Sequence, residues 1–260
     1  MVRVQPIQTS ATITSAGTYT VTVTSPQGCT DTAAISVTVA PTPTLSINDA
    51  TICSGQSATL VAATSPAGGS LSWNTGQTTN SITVNPMQTT IYSATYTWNG
   101  CSASDTVTVT VNPTPTVSVN SDTICNGDTT LLTATPDLPG GSFLWSNNQT
   151  TQSINVNPGL PGTTYTVVYT LTGCTAQAAG TVTVNPVPVL SIAPLTMCYG
   201  ETGTLTAVPN LPGGTFLWTP TNETTNVITV APLASTIYQA QYTLNNCISN
   251  TANGIVTIKP

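Results

Sequence analysis

The seven cysteines fall at 29, 53, 101, 125, 174, 198 and 247, so every second one recurs after 72 or 73 residues. A fixed spacing of that length marks a chain that uses one supersecondary unit repeatedly. Aligned on it, LSINDATICSGQSATLVAATSPAGGSLSWNTGQ from Leu45, VSVNSDTICNGDTTLLTATPDLPGGSFLWSNNQ from Val117 and LSIAPLTMCYGETGTLTAVPNLPGGTFLWTPTN from Leu190 are versions of one sequence. The chain then reads as a partial repeat over 1–41 and complete repeats of about 73 residues over 42–114, 115–187 and 188–260. In the partial repeat, VRVQPIQTSATIT from Val2 matches LSWNTGQTTNSIT from Leu71, placing its start inside the third strand of the others.

Each repeat alternates apolar-polar runs with turn signals roughly every 8 to 12 residues, the pattern of an all-β sandwich. The 57 threonines, with frequent valine, agree, because β-branched side chains suit a pleated surface. Positions two apart on a strand share a face. Leu60, Leu132 and Leu205 therefore point the same way as Ala62, Ala134 and Ala207, and Leu71, Phe143 and Phe216 the same way as Trp73, Trp145 and Trp218. Ile82, Ile154 and Ile228 follow, then tyrosine pairs at 92 and 96, 165 and 169, 238 and 242. Recurrence at one position beside an inward Leu or Phe makes Trp73, Trp145, Trp218, Tyr92, Tyr165 and Tyr238 core residues rather than sugar-stacking platforms. Trp98 stands where later repeats carry Leu171 and Leu244, and is read as partly exposed packing.

The joints VAPTPT, VNPTPT and VNPVPV each hold two prolines, which fix φ and bias their predecessors to extended backbone. Short, stiff joints between sandwiches predict an extended rod that advances roughly 40 Å per repeat.

Charge excludes most chemistry. Arg3 and Lys259 are the only basic residues and histidine is absent, against eight carboxylates and a net charge of −6. Nucleic-acid binding has no electrostatic footing. A histidine-based triad, histidine-ligated metal and a Schiff-base lysine lack their residues, so neither an enzyme nor a cofactor site is expected. A lysine isopeptide staple is equally excluded, and no carboxylate cluster of the calcium-loop kind occurs. No apolar run reaches the ~18 residues of a membrane span. The opening MVRVQPIQ has no signal-peptide core, so the sequence is expected to be a piece of a longer exported chain.

Recurring cysteine pairs in such a composition point to an oxidising compartment and to disulfides at Cys53, Cys101, Cys125, Cys174, Cys198 and Cys247. Pairing within a repeat, the favoured scheme, joins Cys53 to Cys101, Cys125 to Cys174 and Cys198 to Cys247, leaving Cys29 unpaired within the chain. Each loop of about 49 residues would be worth roughly 4 kcal/mol. Pairing between neighbours joins Cys53 to Cys174 and Cys125 to Cys247. A third scheme, Cys101 to Cys125, requires the rod to fold back.

Cys-x-Gly, a Gly-Gly turn, tryptophan followed by TG-x-TT, and a tyrosine strand ending in Gly-Cys resemble the tandem Ig-like or PKD-like repeats of Bacteroidota secreted surface proteins; GTYTVTVTSPQGCTDTA from Gly17 is the nearest match. The resemblance covers the whole chain. It implies tandem Ig-like domains, an extracellular, cell-surface location, and O-glycosylation at Asp-Thr sites, here Thr32, Thr106, Thr123 and Thr129. It further implies a rigid structural segment of an adhesin, gliding-motility adhesin or fibre, with other copies or flanking repeats as partners. Two alternatives stand beside it: a glycan- or protein-binding module using tips such as WNGCSASD at Trp98, and a filament subunit whose incomplete first repeat accepts strands from another copy.

Overall fold

Alternating Thr and Val side chains through GTYTVTVT and CSASDTVTVTVN specify strands with one polar and one apolar face, and strands are what form. The computed structural model describes residues 10–260, and no helix occurs among them. The first repeat contributes β1 (Gly17–Thr24) and β2 (Thr30–Val37). The second contributes β3 (Thr44–Ile47), β4 (Ala50–Cys53), β5 (Ala58–Ser65), β6 (Ser70–Trp73), β7 (Ser81–Val84), β8 (Thr90–Trp98) and β9 (Cys101–Asn112). The third contributes β10 (Val117–Val119), β11 (Asp122–Cys125), β12 (Thr130–Pro136), β13 (Ser142–Trp145), β14 (Ser153–Val156), β15 (Gly162–Leu171) and β16 (Cys174–Asn185). The fourth contributes β17 (Leu190–Ile192), β18 (Leu195–Cys198), β19 (Gly203–Pro209), β20 (Thr215–Thr219), β21 (Val227–Val230), β22 (Thr236–Leu244), β23 (Cys247–Ile248) and β24 (Ala252–Lys259). The chain divides into two compact units, Met1–Asn112 and Pro113–Pro260.

Each complete repeat is a sandwich of two sheets, in the third repeat β10-β12-β14 and β11-β16-β15-β13. The opening segment is shared between them. β10 runs antiparallel to β12, then the chain crosses and β11 runs parallel to β16 in the other sheet. Asn120 sits at the crossing, where its Oδ1 accepts the Thr133 N–H at 2.7 Å and its Nδ2 donates to the Leu131 carbonyl at 3.0 Å. Those bonds occupy backbone groups that the departing strand leaves exposed. Asn48 accepts the Val61 N–H in the same way at 2.6 Å.

The core positions follow the alternation. Leu132 and Ala134 from one sheet meet Trp145, Val167 and Val182 from the other, around Ile154. Trp73, Trp145 and Trp218 are buried, and their indole N–H groups donate to the carbonyls of Thr79, Thr151 and Thr225 at 2.9, 2.8 and 2.9 Å. Tyr92 and Tyr238 are buried, and Tyr165 is half-buried against its core. Trp98 is half-buried and packs on the second repeat's core.

A tyrosine clamp closes each sandwich. The Tyr169 hydroxyl donates to the Leu138 carbonyl at 2.6 Å and accepts the Gly141 N–H at 2.7 Å. Tyr242 does the same with Leu211 and Gly214, at 2.8 and 2.6 Å, and Tyr96 with Pro66 and Gly69. The Gly-Gly pair is needed for two separate reasons. Gly140 has φ of +100°, which favours glycine, whereas a Cβ on Gly141 would collide with the Thr170 carbonyl and the Tyr169 ring.

The first repeat is different. β1 and β2 pair antiparallel from Gly17↔Val37 to Thr24↔Thr30 and, among the described residues, form a two-stranded sheet. Their apolar face stays open: Val21, Val23 and Ile35 are 63%, 64% and 63% exposed, where Ala94, Tyr96 and Val107 on the second repeat's closing strands are buried. The expected third-strand match at Val2 lies largely outside the described residues, and residues 10–16 form no strand.

Removing the clamp hydroxyl with Tyr169→Phe leaves Gly141 N–H and Leu138 C=O without their partner. The expected loss is about 1–3 kcal/mol in urea unfolding, against no change for the exposed Tyr199→Phe.

Candidate functional site: the sulfur joint of Pro113–Pro260

The parallel pairing of β11 with β16 decides where the cysteines can go. Its register sets Cys125 opposite Asn185, the last residue of the twelve-residue strand that Cys174 begins. At ~3.3 Å per residue, Cys125 and Cys174 are therefore roughly 36 Å apart, whereas a disulfide requires Cα atoms within about 7 Å. The second and fourth repeats have the same register, with Cys53 opposite Asn112 and Cys198 opposite Lys259. Pairing within a repeat is thus ruled out by the strand order that the repeat itself imposes.

Cys125 instead bonds Cys247, with S–S 2.03 Å and Cα–Cα 5.6 Å. Cys101 and Cys198, expected in disulfides, are free and exposed, as is Cys29. Cys53 and Cys174 are disulfide-bonded cysteines. The Cys101-to-Cys125 scheme fails as well, since Cys125 is occupied.

The joint around Cys125–Cys247 is built from two chain reversals. On one side, Asn126 and Asp128 N–H donate to the carbonyls of Asn185 and Cys125 at 2.8 and 2.9 Å, a tight turn that Gly127 permits with φ of +97°. On the other, Asn245 and Asn246 form the two-residue tip between β22 and β23, both with positive φ (50° and 65°). The Asn185 side-chain amide donates to the Asn245 carbonyl across the joint at 3.3 Å. Thr123, Ile124, Asp128, Thr129, Asn245 and Asn246 line a cavity of about 440 Å³ beside the disulfide. It holds one carboxylate and no basic side chain, so it offers neither an anion site nor a ligand set for a cation. No group of three or more metal-ligating side chains occurs among the described residues. Asn185 and Asn245 were not legible as joint residues; the Asn-Pro of VNPVPV was the available signal.

Two carboxylates are tuned by local bonds. The Thr130 hydroxyl, then the Thr123 backbone N–H, hold Asp122 below its ordinary 3.8, and the Thr116 backbone N–H does the same for Asp137. The four threonines marked by Asp-Thr, Thr32, Thr106, Thr123 and Thr129, are all exposed. In three of them the N–H donates to the preceding aspartate, at 2.9 Å for Thr32 and 2.8 Å for Thr106 and Thr123.

Neither a family model nor any curated protein matches the chain. Solved structures do. A titin I-band fragment aligns at 12% identity and TM-score 0.51, over 85% of this chain and 100% of that one. An E-to-A mutated three-Ig fragment of titin aligns at 13% identity and TM-score 0.50, over 84% and 99%. At such identity the likeness establishes architecture alone: the fold is that of tandem Ig-like domains.

Closing a 122-residue loop stabilises by about 5 kcal/mol on the chain-entropy relation. Reduction or Cys247→Ser is therefore expected to lower the denaturant midpoint of Pro113–Pro260, while Cys198→Ser leaves it unchanged. Because Asp122 has a lowered native pKa, its contribution is full above 3.8 and lost as pH falls through the lowered value. A thermal-melt series from about pH 5 to pH 2 should show a small acid loss that Asp122→Asn reduces, Asp137 supplying the remainder.

Proposed function

We propose that this chain is a structural segment of an extracellular surface protein, in which disulfides staple consecutive Ig-like repeats so that tension crosses the joint through sulfur. The observation that carries this reading is the Cys125–Cys247 bond, which ties the end of one sandwich to the hairpin tip of the next. A bond inside a repeat would stabilise only that repeat. A bond between repeats also restrains their mutual movement. The surface supports the reading: exposed strand faces are largely threonine, serine and asparagine, with one lysine and one arginine in the whole sequence. Such a surface hydrogen-bonds with water and offers trypsin-like proteases almost nothing. Among the described residues, no helix is long and apolar enough to cross a membrane. The finer assignments, a stalk of an adhesin type and residence at the cell surface, belong to this proposal, as do the repeat boundaries near 41, 114 and 187.

A second reading rests on the open apolar face of β1 and β2: a subunit that polymerises when another copy supplies strands to the incomplete first repeat. Electron microscopy of the purified protein separates the two, since separate particles fit a segment and long regular fibres fit a polymerising subunit.

Single-molecule stretching tests the segment reading directly. With disulfides intact, at least the length of the 122-residue loop closed by Cys125–Cys247 is withheld, so full extension should fall short of the reduced protein by about 440 Å or more, the bonds at Cys53 and Cys174 adding to the difference. Equal extension in both states would overturn it.

A further inference from the structure

Cys198 occupies in the fourth repeat the place that Cys125 occupies in the third. β18 runs parallel to β24 with Cys198 opposite Lys259, as β11 runs parallel to β16 with Cys125 opposite Asn185. The turn that follows is the same: Tyr199 and Glu201 N–H donate to the carbonyls of Lys259 and Cys198, both at 3.2 Å, and Gly200 takes φ of +82°. One of these two equivalent thiols is bonded to the hairpin cysteine of the next repeat, and the other is free and exposed. Hairpin cysteines also share one local form, each following a residue of positive φ: Asn246 before Cys247, Gly100 before Cys101 and Gly28 before Cys29. Cys247, bonded, is fully buried, whereas Cys29 and Cys101 are exposed thiols. The hairpin of Cys101 already follows a repeat of its own chain, β1 and β2, within the compact unit Met1–Asn112.

We propose that Cys198 is a staple site that bonds the hairpin cysteine of a further repeat of this kind, met in a second copy of this chain as Cys29. The inference rests on the segment reading above and extends it: the chain repeats its own internal joint at its fourth repeat. Two thiols become one disulfide by losing two protons and two electrons. A low-molecular-weight disulfide such as oxidised glutathione accepts them: the Cys198 thiolate displaces one glutathione to give a mixed disulfide, and the Cys29 thiolate of the second copy displaces the other.

The test uses the full 260-residue protein in an oxidised/reduced glutathione buffer, followed by non-reducing electrophoresis and mass-spectrometric mapping of disulfide peptides after chymotryptic digestion. Covalent oligomers whose intermolecular link is Cys198–Cys29 are expected, with Cys125–Cys247 unchanged. Cys198→Ser or Cys29→Ser should each abolish them, and Cys101→Ser should not, with melting temperatures reporting that the variants fold. Recovery of Cys198 as a thiol or glutathione adduct overturns the proposal, as does a statistical mixture with Cys198–Cys198 and Cys198–Cys101 links. The stretching measurement separates the two levels: a retained shortening without the Cys198–Cys29 link sinks this inference alone, whereas loss of the shortening sinks the segment reading beneath it.

Discussion

The pairing of a four-residue strand in parallel with the end of the closing strand governs what the cysteines of this protein can do. β11 reaches its sheet only because the chain leaves β12 at Asn120 and crosses the sandwich. That crossing carries Cys125 to the pole where the repeat hands over to its successor, and leaves Cys174 at the opposite pole. Sequence proximity and repeat symmetry both favour a bond inside the unit, but a length of roughly 36 Å overrides them. Sulfur then becomes a device for joints rather than for cores.

The cores are consequently left to other means. Each sandwich is small, and below about 80 residues apolar burial alone stabilises weakly. The repeats compensate with fully satisfied polar groups: indole N–H to threonine carbonyl, and a tyrosine hydroxyl that both donates and accepts at the Gly-Gly turn. No buried side-chain nitrogen or oxygen among the described residues is left without a partner. Glycine is the condition for the clamp, since any larger residue at 141 would hold the tyrosine ring off the turn.

Bonded and free sulfur stand apart in this chain: Cys125 and Cys247 meet in a joint, whereas Cys29, Cys101 and Cys198 are exposed thiols. A hairpin cysteine that meets a neighbouring repeat, as Cys247 does, is buried in the joint. The hairpin cysteines at 29 and 101 are free thiols at the surface.

The repeat period, the all-β class and the inward positions were legible in the sequence because period-two alternation and a fixed repeat are local properties. Leu132, Trp145, Ile154 and their counterparts could be placed on one face without knowing which strands pair. The empty charge inventory likewise needed no structure, since chemistry that requires histidine or lysine cannot arise from packing. Three features were decided by tertiary structure. The disulfide partner of Cys125 depends on which sheet β11 joins and in which direction, and nothing in DTIC specifies either. The tyrosine clamp depends on a turn about thirty residues away reaching the hydroxyl. The joint through Asn185 and Asn245 exists only when two folded repeats meet. Residue pattern determines the face a side chain occupies; strand order determines what it can reach.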